Sequence, residues 1–209
     1  MFDKAIDAKN KFIALTFDDG PGEYTGRLLD LLSRYGAKAT FLVVGESIDG
    51  KEAILRRMAD EGHEIGNHTL THRPLTYMTE EEVISEITST AEKIKNAVGF
   101  SPAFVRAPYG DVNEKVQDIG ARLGVSFAGW SLDTRDWESK CADSVYNEIT
   151  SNVSVGDIIL CHETHLSTID AVERVLPYLF DRGFELVTLS CLLTDGNNTL
   201  EKGKIYYRR

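Results

Sequence analysis

Two adjacent aspartates, Asp18 and Asp19, end an apolar run in the stretch T-F-D-D-G-P. Like charges at neighbouring positions repel each other. An ordinary turn after a strand accounts for Gly20 and Pro21, which are turn formers, but not for a second carboxylate. A cation beside the pair would relieve the repulsion, so that one aspartate binds the metal while the other stays ionised and accepts a proton from the attacking water. The pair therefore predicts two separate roles.

Two histidines, His68 and His72, occur four residues apart in G-N-H-T-L-T-H. Residues four apart share one face of a helical turn, so both imidazoles can bind one cation. Two histidines and one aspartate leave a coordination position open, as a catalytic metal site requires. Solvent-facing or core-bonded histidines are the alternative for an isolated pair, and the carboxylates elsewhere in the chain disfavour it.

Two further stretches carry polar residues suited to a hydrolytic site. Arg106, in V-R-A-P-Y-G, can orient a carboxylate, and an ordinary surface ion pair is the alternative. The stretch D-T-R-D-W offers Asp133 or Asp136 as the carboxylate that orients a histidine. Trp137, in the same stretch, is either a sugar-stacking wall residue or part of the core.

The remaining histidines differ in their surroundings. His162 ends I-L-C-H, where strand alternation places Leu160 and His162 on one face and Cys161 on the other. Cys161 is therefore not expected to act as a nucleophile with His162. His63 begins a short predicted strand and is expected to be structural, and His165 is expected to lie at the rim of the site.

Short apolar runs alternate with amphipathic segments along the chain. Strands are predicted at residues 12–17, 40–44, 64–66, 104–106, 126–132, 157–161 and 185–189. Helices are predicted at residues 24–35, 52–60, 114–123, 142–153 and 168–181. The longest helix follows a capping box made by Thr79 and Glu82. Pro177 is expected to kink or shorten the last helix.

This alternation predicts an α/β fold with a parallel sheet, either open and doubly wound or closed into a barrel. Seven strand–helix units in about 190 residues fit a barrel smaller or less regular than the eightfold one. The polar residues suited to chemistry all lie at or just beyond the carboxyl end of a predicted strand: Asp18, Asp19, His68, His72, Arg106, Asp133, Asp136 and His162. Because active sites of both fold types are built at that edge, these residues are predicted to form one site.

Composition limits the classes of function. With 33 acidic and 23 basic residues, the formal net charge of −10 argues against nucleic acid or an anionic membrane as a partner. Three cysteines are too few for a disulfide framework, and no apolar run reaches the ~18 residues of a membrane span. The first ten residues lack the apolar core of a signal peptide, which leaves a cytoplasmic protein or a trimmed leader as alternatives. The 209 residues are interpreted as a single domain with a motif-bearing core at about 10–192.

Five stretches together resemble the ordered motifs of the polysaccharide deacetylases, carbohydrate esterase family four. They are T-F-D-D-G-P (16–21), H-T-L-T-H (68–72), R-A-P-Y (106–109), D-T-R-D-W (133–137) and L-C-H (160–162). All five occur in the family's order, and the resemblance covers about residues 10 to 192. It implies a distorted (β/α) barrel with seven or eight parallel strands and metal-dependent removal of acetyl groups from a polymer of sugars.

The resemblance also implies a role for each motif residue. Asp18 would be the general base, held in place by Arg106. One divalent metal ion, zinc or cobalt, would be bound by Asp19, His68 and His72.

On the acid side of the site, the resemblance implies that His162 protonates the leaving amine, with Asp136 tuning it. The backbone amide of Tyr109 would stabilise the oxyanion, Leu160 would line the acetyl pocket, and Trp137 would contact substrate. No motif position departs from the family pattern, so an active enzyme is expected.

The leading interpretation is an N-deacetylase acting on N-acetylglucosamine in peptidoglycan. An acetylxylan esterase and a chitin-oligosaccharide deacetylase are the enzyme alternatives, and a non-catalytic carbohydrate-binding module is the distant one. An ester leaving group needs less acid assistance than an amine, so His162 with an aspartate partner favours the amide. The resemblance implies an extracellular or cell-wall location. The expected partner is a carbohydrate polymer or oligosaccharide, and a monomer is expected although the sequence leaves the oligomeric state open.

Overall fold

In the computed structural model, residues 11–194 and 199–209 are described, and the segment tested above for a signal peptide, residues 1–10, lies outside them. The described residues contain nine strands: β1 (Lys11–Gly20), β2 (Thr40–Val43), β3 (Glu64–Asn67), β4 (Phe104–Val105), β5 (Ser126–Ala128), β6 (Leu132–Asp133), β7 (Ile158–His162), β8 (Phe184–Leu186) and β9 (Ile205–Tyr206). Their ladders are all parallel. The sheet order is β6-β7-β1-β2-β3-β4-β5-β9, and β8 pairs with the start of β1.

The strands are connected mainly by helices, which cover the outer face of the sheet. They are α1 (Thr25–Arg34), α2 (Glu52–Asp60), α3 (Glu80–Val98), α4 (Glu114–Leu123), α5 (Asp136–Ser139), α6 (Ala142–Asn152), α7 (Leu166–Asp181) and α8 (Leu189–Leu193). The predicted capping box at the start of α3 is present, with Thr79 and Glu82 bonded to each other's backbone amides. Within the described residues, no helix combines the length and apolar composition needed to cross a bilayer.

The sheet curls into the expected distorted (β/α) barrel, with β6 and β9 at the two ends of its strand order. The prediction of one strand over residues 126–132 is wrong, because β5 and β6 are separate and pair at opposite ends of the sheet order. At the end of β5, the carbonyl oxygens of Ala128 and the following Gly129 accept hydrogen bonds from the Arg106 side chain. The chain thus stops pairing with β4 where Arg106 donates hydrogen bonds to its carbonyl oxygens. It then continues as β6, which pairs with β7.

Two other predicted elements differ from the structure. Helix α7 begins at Leu166 and continues through Pro177 to Asp181, so the proline does not shorten it. Burial of Val175, Leu176 and Leu179 stabilises the helix by about 1.5–3 kcal/mol each, so the three together outweigh the ~3 kcal/mol that an internal proline costs. The strand predicted at residues 185–189 ends at Leu186, because the Thr188 side chain caps the amino end of α8.

Candidate active site

Asp18 and Asp19 lie at the carboxyl end of β1, where the strand is irregular. Alternate residues of a regular strand face opposite sides, which would separate the two carboxylates. The pairing register shifts between Asp18 and Gly20, and Asp19 has a left-handed φ of 71°. This bulge turns both carboxylates toward one imidazole: Asp18 Oδ2 lies 3.6 Å and Asp19 Oδ1 3.4 Å from His68 Nε2.

His68 directly follows β3 and is almost completely buried. Its Nδ1 is 2.7 Å from the carbonyl oxygen of Arg106, so Nδ1 carries the proton and donates it to that oxygen. Nε2 is then left with a free lone pair facing the two carboxylates. This arrangement, in which the second ring nitrogen is fixed by a backbone carbonyl, is typical of histidines that bind metals.

His72 reaches the same point through a loop and not through the helical turn that the four-residue spacing suggested. Thr69 and His72 both have left-handed φ values, 66° and 56°. Glu86 of α3 fixes the intervening residues, because its carboxylate accepts hydrogen bonds from the backbone amides of Leu70 and Thr71 at 2.8 and 2.9 Å and from the Thr71 hydroxyl at 2.7 Å. The prediction that both imidazoles meet is correct, and the predicted local structure is wrong.

The side chains of Asp19, His68 and His72 offer three ligand atoms within 4.8 Å of one another. Asp19 Oδ1 is buried, lies 3.2 Å from His72 Nε2, and has no hydrogen-bond partner among the described residues. Burial raises the pKa of Asp19, but its interaction with His68 and the charges of His162 and His72 outweigh burial and lower the pKa to about 2. One ionised oxygen and two imidazole nitrogens converging without a donor between them fit a divalent cation with an open coordination position.

Arg106 is fully buried and bonds Asp18, which excludes the surface ion pair. Its Nη1 donates to Asp18 Oδ1 at 2.8 Å and to the Thr16 hydroxyl at 2.7 Å. Nε and Nη2 donate to the carbonyls of Ala128 and Gly129 at 3.1 and 2.8 Å. The guanidinium is therefore fixed on four acceptors and holds one oxygen of Asp18 in place, leaving Oδ2 facing the ligand cluster.

On the other side of β1, His162 ends β7 and pairs in register with Asp18. The predicted contact with Asp136 is present: His162 Nδ1 and Asp136 Oδ1 are 2.7 Å apart. Asp136 Oδ2 accepts hydrogen bonds from the His162 backbone amide and from the Thr168 hydroxyl, both at 2.7 Å. Of the two aspartates left open by the sequence, Asp136 is thus the partner, while Asp133 accepts a bond from the Arg135 amide at 2.8 Å.

The imidazole of His162 has a strongly raised pKa. Burial lowers it, but the hydrogen bond and negative charge of Asp136, together with the charges of Asp18 and Asp19, raise it to about 9. The pKa of Asp136 is lowered, since burial raises it less than its bonds and charge interaction with His162 lower it. These interactions favour the protonated form of the His162 imidazole, and Asp136 engages its Nδ1 and not its Nε2.

Comparison with known families matches residues 5–128 to the family described as polysaccharide deacetylase. The chain belongs to this family. It is 38% identical over 182 residues to a peptidoglycan-N-acetylglucosamine deacetylase of Bacillus cereus, a match that covers 85% of this chain. The chain spans 66% of the length of that relative and 41% of the length of the peptidoglycan-N-acetylglucosamine deacetylase PgdA of Listeria monocytogenes.

Solved structures of the family superpose on almost the whole chain. The structure titled T48 deacetylase with substrate has a TM-score of 0.91 and 37% identity, covering 97% of this chain and 100% of that one. A family 4 acetyl xylan esterase from Clostridium thermocellum, in complex with a cobalt ion, has a TM-score of 0.88 and 34% identity, covering 95% of this chain and 98% of that one. The similarity therefore extends beyond residue 128 to the strands that carry the last two motifs.

The other motif residues surround the cluster. Leu160 is buried in β7, and Trp137 is 50% exposed at the start of α5. Tyr109 is 71% exposed with a left-handed φ of 62°, and its ring centroid lies 5.0 Å from that of His72. That the backbone amide of Tyr109 stabilises the oxyanion stays a prediction. Cys161 is buried in the core on the opposite face of β7, as alternation predicted.

The two histidines set aside by the sequence lie where expected. His63 is buried, and its Nδ1 accepts a hydrogen bond from the Ala39 amide at 3.2 Å. The His165 ring lies 6.3 Å from that of His162, centroid to centroid, and its residue is half-buried before α7. His63 is thus a structural residue of the core, and His165 stands beside the site.

Sequence reasoning missed Glu163, a fully buried carboxyl group that follows His162. One oxygen accepts a hydrogen bond from the Thr25 hydroxyl, and the other has no partner within residues 11–194 and 199–209. A Cβ at Gly20 would overlap this carboxyl, which explains the glycine after the aspartate pair. Burial is the main cause that raises the pKa of Glu163 to about 8. The sequence signal for Glu163 was a carboxylate directly after a histidine at the end of a strand. Glu86, which was also missed, had no sequence signal beyond its place in a helix.

Proposed function

We propose that this protein is a metal-dependent hydrolase that removes N-acetyl groups from N-acetylglucosamine residues of a polysaccharide, with peptidoglycan as the polymer. The observation that carries the proposal is the position of two acid–base groups on either side of the Asp19, His68 and His72 cluster. One of them is fixed by an arginine and the other by an aspartate. Asp18 stands on one side, fixed by Arg106 at 2.8 Å, and His162 on the other, fixed by Asp136 at 2.7 Å. The name of the 38% identical Bacillus cereus relative supports the polymer.

The ligand cluster would hold the family's divalent ion, which we propose to be zinc or cobalt. Asp19, His68 and His72 would bind it, and when bound it supplies the Lewis acid that polarises the acetyl carbonyl and activates water. Zinc and cobalt both accept two nitrogen ligands and one oxygen ligand, so the donor set is compatible with either.

Asp18 is proposed as the general base. Arg106 occupies Oδ1, so Oδ2, 3.6 Å from His68 Nε2, is the oxygen free to take the proton of the attacking water. The charge of the fully buried guanidinium also keeps Asp18 oriented as the tetrahedral intermediate forms. The backbone amide of Tyr109 is proposed to donate to the oxyanion, with Leu160 and Trp137 lining the acetyl and sugar positions.

His162 is proposed as the general acid. Its Nδ1 is engaged by Asp136, so Nε2 donates the proton to the leaving nitrogen. A pKa raised to about 9 keeps this proton on the ring at neutral pH, which an amine leaving group requires and an alkoxide requires less. This favours the amide over the acetylxylan ester, which remains the second candidate because the esterase structure superposes at a TM-score of 0.88.

The proposed polymer also implies a site of action at the cell wall. Peptidoglycan surrounds the cell outside its membrane, so an enzyme that deacetylates the assembled polymer has to meet it there. We therefore propose an extracellular or cell-wall location.

Release of acetate from peptidoglycan, chitin oligomers and acetylxylan tests the function. We expect the highest kcat/KM on peptidoglycan, loss of activity with a chelator, and recovery with zinc or cobalt. A preference for acetylxylan would favour the esterase, and a preference for chitin oligomers the oligosaccharide deacetylase. Binding of these glycans without acetate release at any metal concentration would instead indicate a carbohydrate-binding module.

A further inference from the structure

A cleft of about 140 Å³ lies beside the candidate active site, between the turn at Pro108–Gly110 and the last strand, β9. Besides the buried Phe127, three aromatic residues that are at least partly exposed line it: Tyr109, Trp130 and Tyr207. We call it the aromatic cleft. Tyr109 belongs to the R-A-P-Y motif, whereas Trp130 and Tyr207 lie outside the five motifs.

The walls of the aromatic cleft are held by close packing against glycine backbone. A Cβ at Gly110 would lie 2.9 Å from the Trp130 ring, and one at Gly129 would overlap the Tyr207 ring. Trp130 is also fixed from the other side, because the Arg106 guanidinium carbon lies 5.7 Å from its ring centroid. The cleft is therefore a formed surface and does not need to be assembled by a ligand.

The chemistry of the lining fits an uncharged ring with one apolar face. No Asp, Glu, Lys, Arg or His lines the described cleft, which disfavours ions as ligands. Tyr109 and Tyr207 are 71% and 57% exposed, an unusual exposure for large aromatic side chains. The polar atoms of the Tyr109, Trp130 and Tyr207 side chains make no hydrogen bond to other described residues, so they are available to hydroxyl groups. A pyranose, with its C–H face and hydroxyl rim, has this pattern.

The position of the cleft identifies which sugar it can take. The Tyr109 ring contacts His72 of the ligand cluster at 5.0 Å and also lines the cleft, so one aromatic ring separates the two. The volume is below the ~300–1,000 Å³ of a pocket for a whole drug-sized ligand, so it suits part of one ring. We propose that the aromatic cleft binds a sugar ring of the polymer next to the one that is deacetylated. The proposal rests on the proposed function.

The test compares long and short substrates in the metal-loaded enzyme. Tyr207→Ala removes the stacking ring at a position without a catalytic contact, and Tyr207→Phe keeps it. We expect Tyr207→Ala to lower the ratio of kcat/KM for chitin pentamer to that for an aryl acetate by about 3- to 10-fold, mainly through KM, and Tyr207→Phe to retain most of the ratio. Phe100→Ala is the matched control, since Phe100 is an exposed aromatic residue before β4, at the opposite end of the sheet, and should leave the ratio unchanged.

A ratio in Tyr207→Ala equal to that of the native chain, with pentamer still deacetylated, overturns the subsite and leaves the proposed function intact. An equal loss on both substrates also overturns it, because Tyr207 would then support the fold. If the native chain releases acetate from no glycan, the proposed function fails. Calorimetric titration with intact chitin pentamer, which is not consumed in that case, then decides the cleft separately: weaker binding to Tyr207→Ala than to the native chain supports it, and equal binding overturns it.

Discussion

Asp18 and Asp19 are chemically identical neighbours that lie in different surroundings. Asp18 is bonded by the Arg106 guanidinium at 2.8 Å, so its charge is already balanced by the protein. Asp19 Oδ1 lies between two imidazoles and has no hydrogen-bond donor among the described residues. A cation is therefore expected to depend on Asp19 more than on Asp18.

Substituting each aspartate by asparagine separates the two roles. Asp18→Asn should leave the bound metal almost unchanged and lower kcat by about 10²–10⁴-fold, because the general base is lost. Asp19→Asn should instead weaken metal binding, since a neutral amide replaces an ionised ligand. Elemental analysis of the dialysed variants, together with acetate release, measures both effects. Equal metal loss in the two variants would contradict this division of labour.

The pair His162 and Asp136 predicts a pH dependence. A general acid must be protonated, so activity falls as pH rises through the pKa of His162, which is raised to about 9. Asp136→Asn removes the charge that raises this pKa, and the alkaline limb of the rate profile should move to lower pH by about 1–3 units. The profile should be recorded on a glycan and on an aryl acetate.

Only the glycan, with its amine leaving group, should be slowed strongly at neutral pH. Thr168→Val serves as the control, because it removes another bond to Asp136 without removing the charge. An unchanged alkaline limb in Asp136→Asn would rule out His162 as the acid, as would equal slowing of both substrates in His162→Ala.

At the scale of elements, the ligand histidines depend on a contact between α3 and the loop after β3. The Glu86 carboxylate accepts three hydrogen bonds from Leu70 and Thr71, which lie between His68 and His72. The carbonyl oxygens of Thr69 and Leu70 accept hydrogen bonds from the Gly45 and Glu46 amides, whereas Glu86 binds the amides on the other side of the loop. We therefore expect Glu86 to position the two histidines of the proposed metal site.

Glu86→Ala should lower the affinity for zinc by about 10–100-fold, the range seen when residues that support metal ligands are removed. Glu86→Gln keeps one acceptor oxygen and should lose less affinity. Glu92→Ala, an exposed position on the same helix, is the control. Zinc titration with a competing chelator measures the affinity, and thermal unfolding of the metal-free proteins reports any general loss of stability. Native affinity in a folded Glu86→Ala protein would show that the loop needs no such support.

The elements differ in how far the sequence predicts them. Helices α2 and α4 occupy the predicted residues, because their apolar periodicity and flanking polar residues are local signals. The break between β5 and β6 was not predictable, since it depends on Arg106, which is 22 residues before Ala128 in the chain. The short elements α5, α8 and β9 are too short for a periodic pattern, and tertiary contacts define them.

The candidate site, like the fold, has features that the sequence predicts and others that depend on tertiary contacts. Residue types and spacing predicted that His68 and His72 meet one of the paired aspartates and that Asp133 or Asp136 orients His162, whereas the family resemblance implied the contact between Arg106 and Asp18. The bulge at Asp19 and the left-handed conformation of His72 were not predicted, because the surrounding structure imposes such backbone strain. The sequence therefore identified which residues meet but not the backbone path that brings them together.

At the scale of the whole molecule, a buried histidine far from the ligand cluster links stability to pH. His63 packs against Phe41, with ring centroids 5.4 Å apart, and its Nδ1 accepts the Ala39 amide. Burial, followed by the charge of Lys38, lowers the pKa of His63 to about 4 from an ordinary value of 6.5. Between pH 6.5 and 4, His63 is therefore protonated in the unfolded chain but not in the folded protein.

The contribution of His63 to the free energy of unfolding is thus complete above pH 6.5 and is lost as pH falls toward 4. At ~1.4 kcal/mol per pKa unit, the loss is roughly 3 kcal/mol. His63→Phe keeps a ring against Phe41 but cannot take a proton. We expect it to be less stable at pH 7, because the Ala39 amide loses its acceptor, and to lose less stability than the native chain between pH 6.5 and 4. Denaturant unfolding at several pH values measures both, with His165→Gln as the half-buried control. If the free energy of unfolding fell equally with pH in His63→Phe and in the native chain, protonation of His63 would not be the cause of the loss of stability in acid.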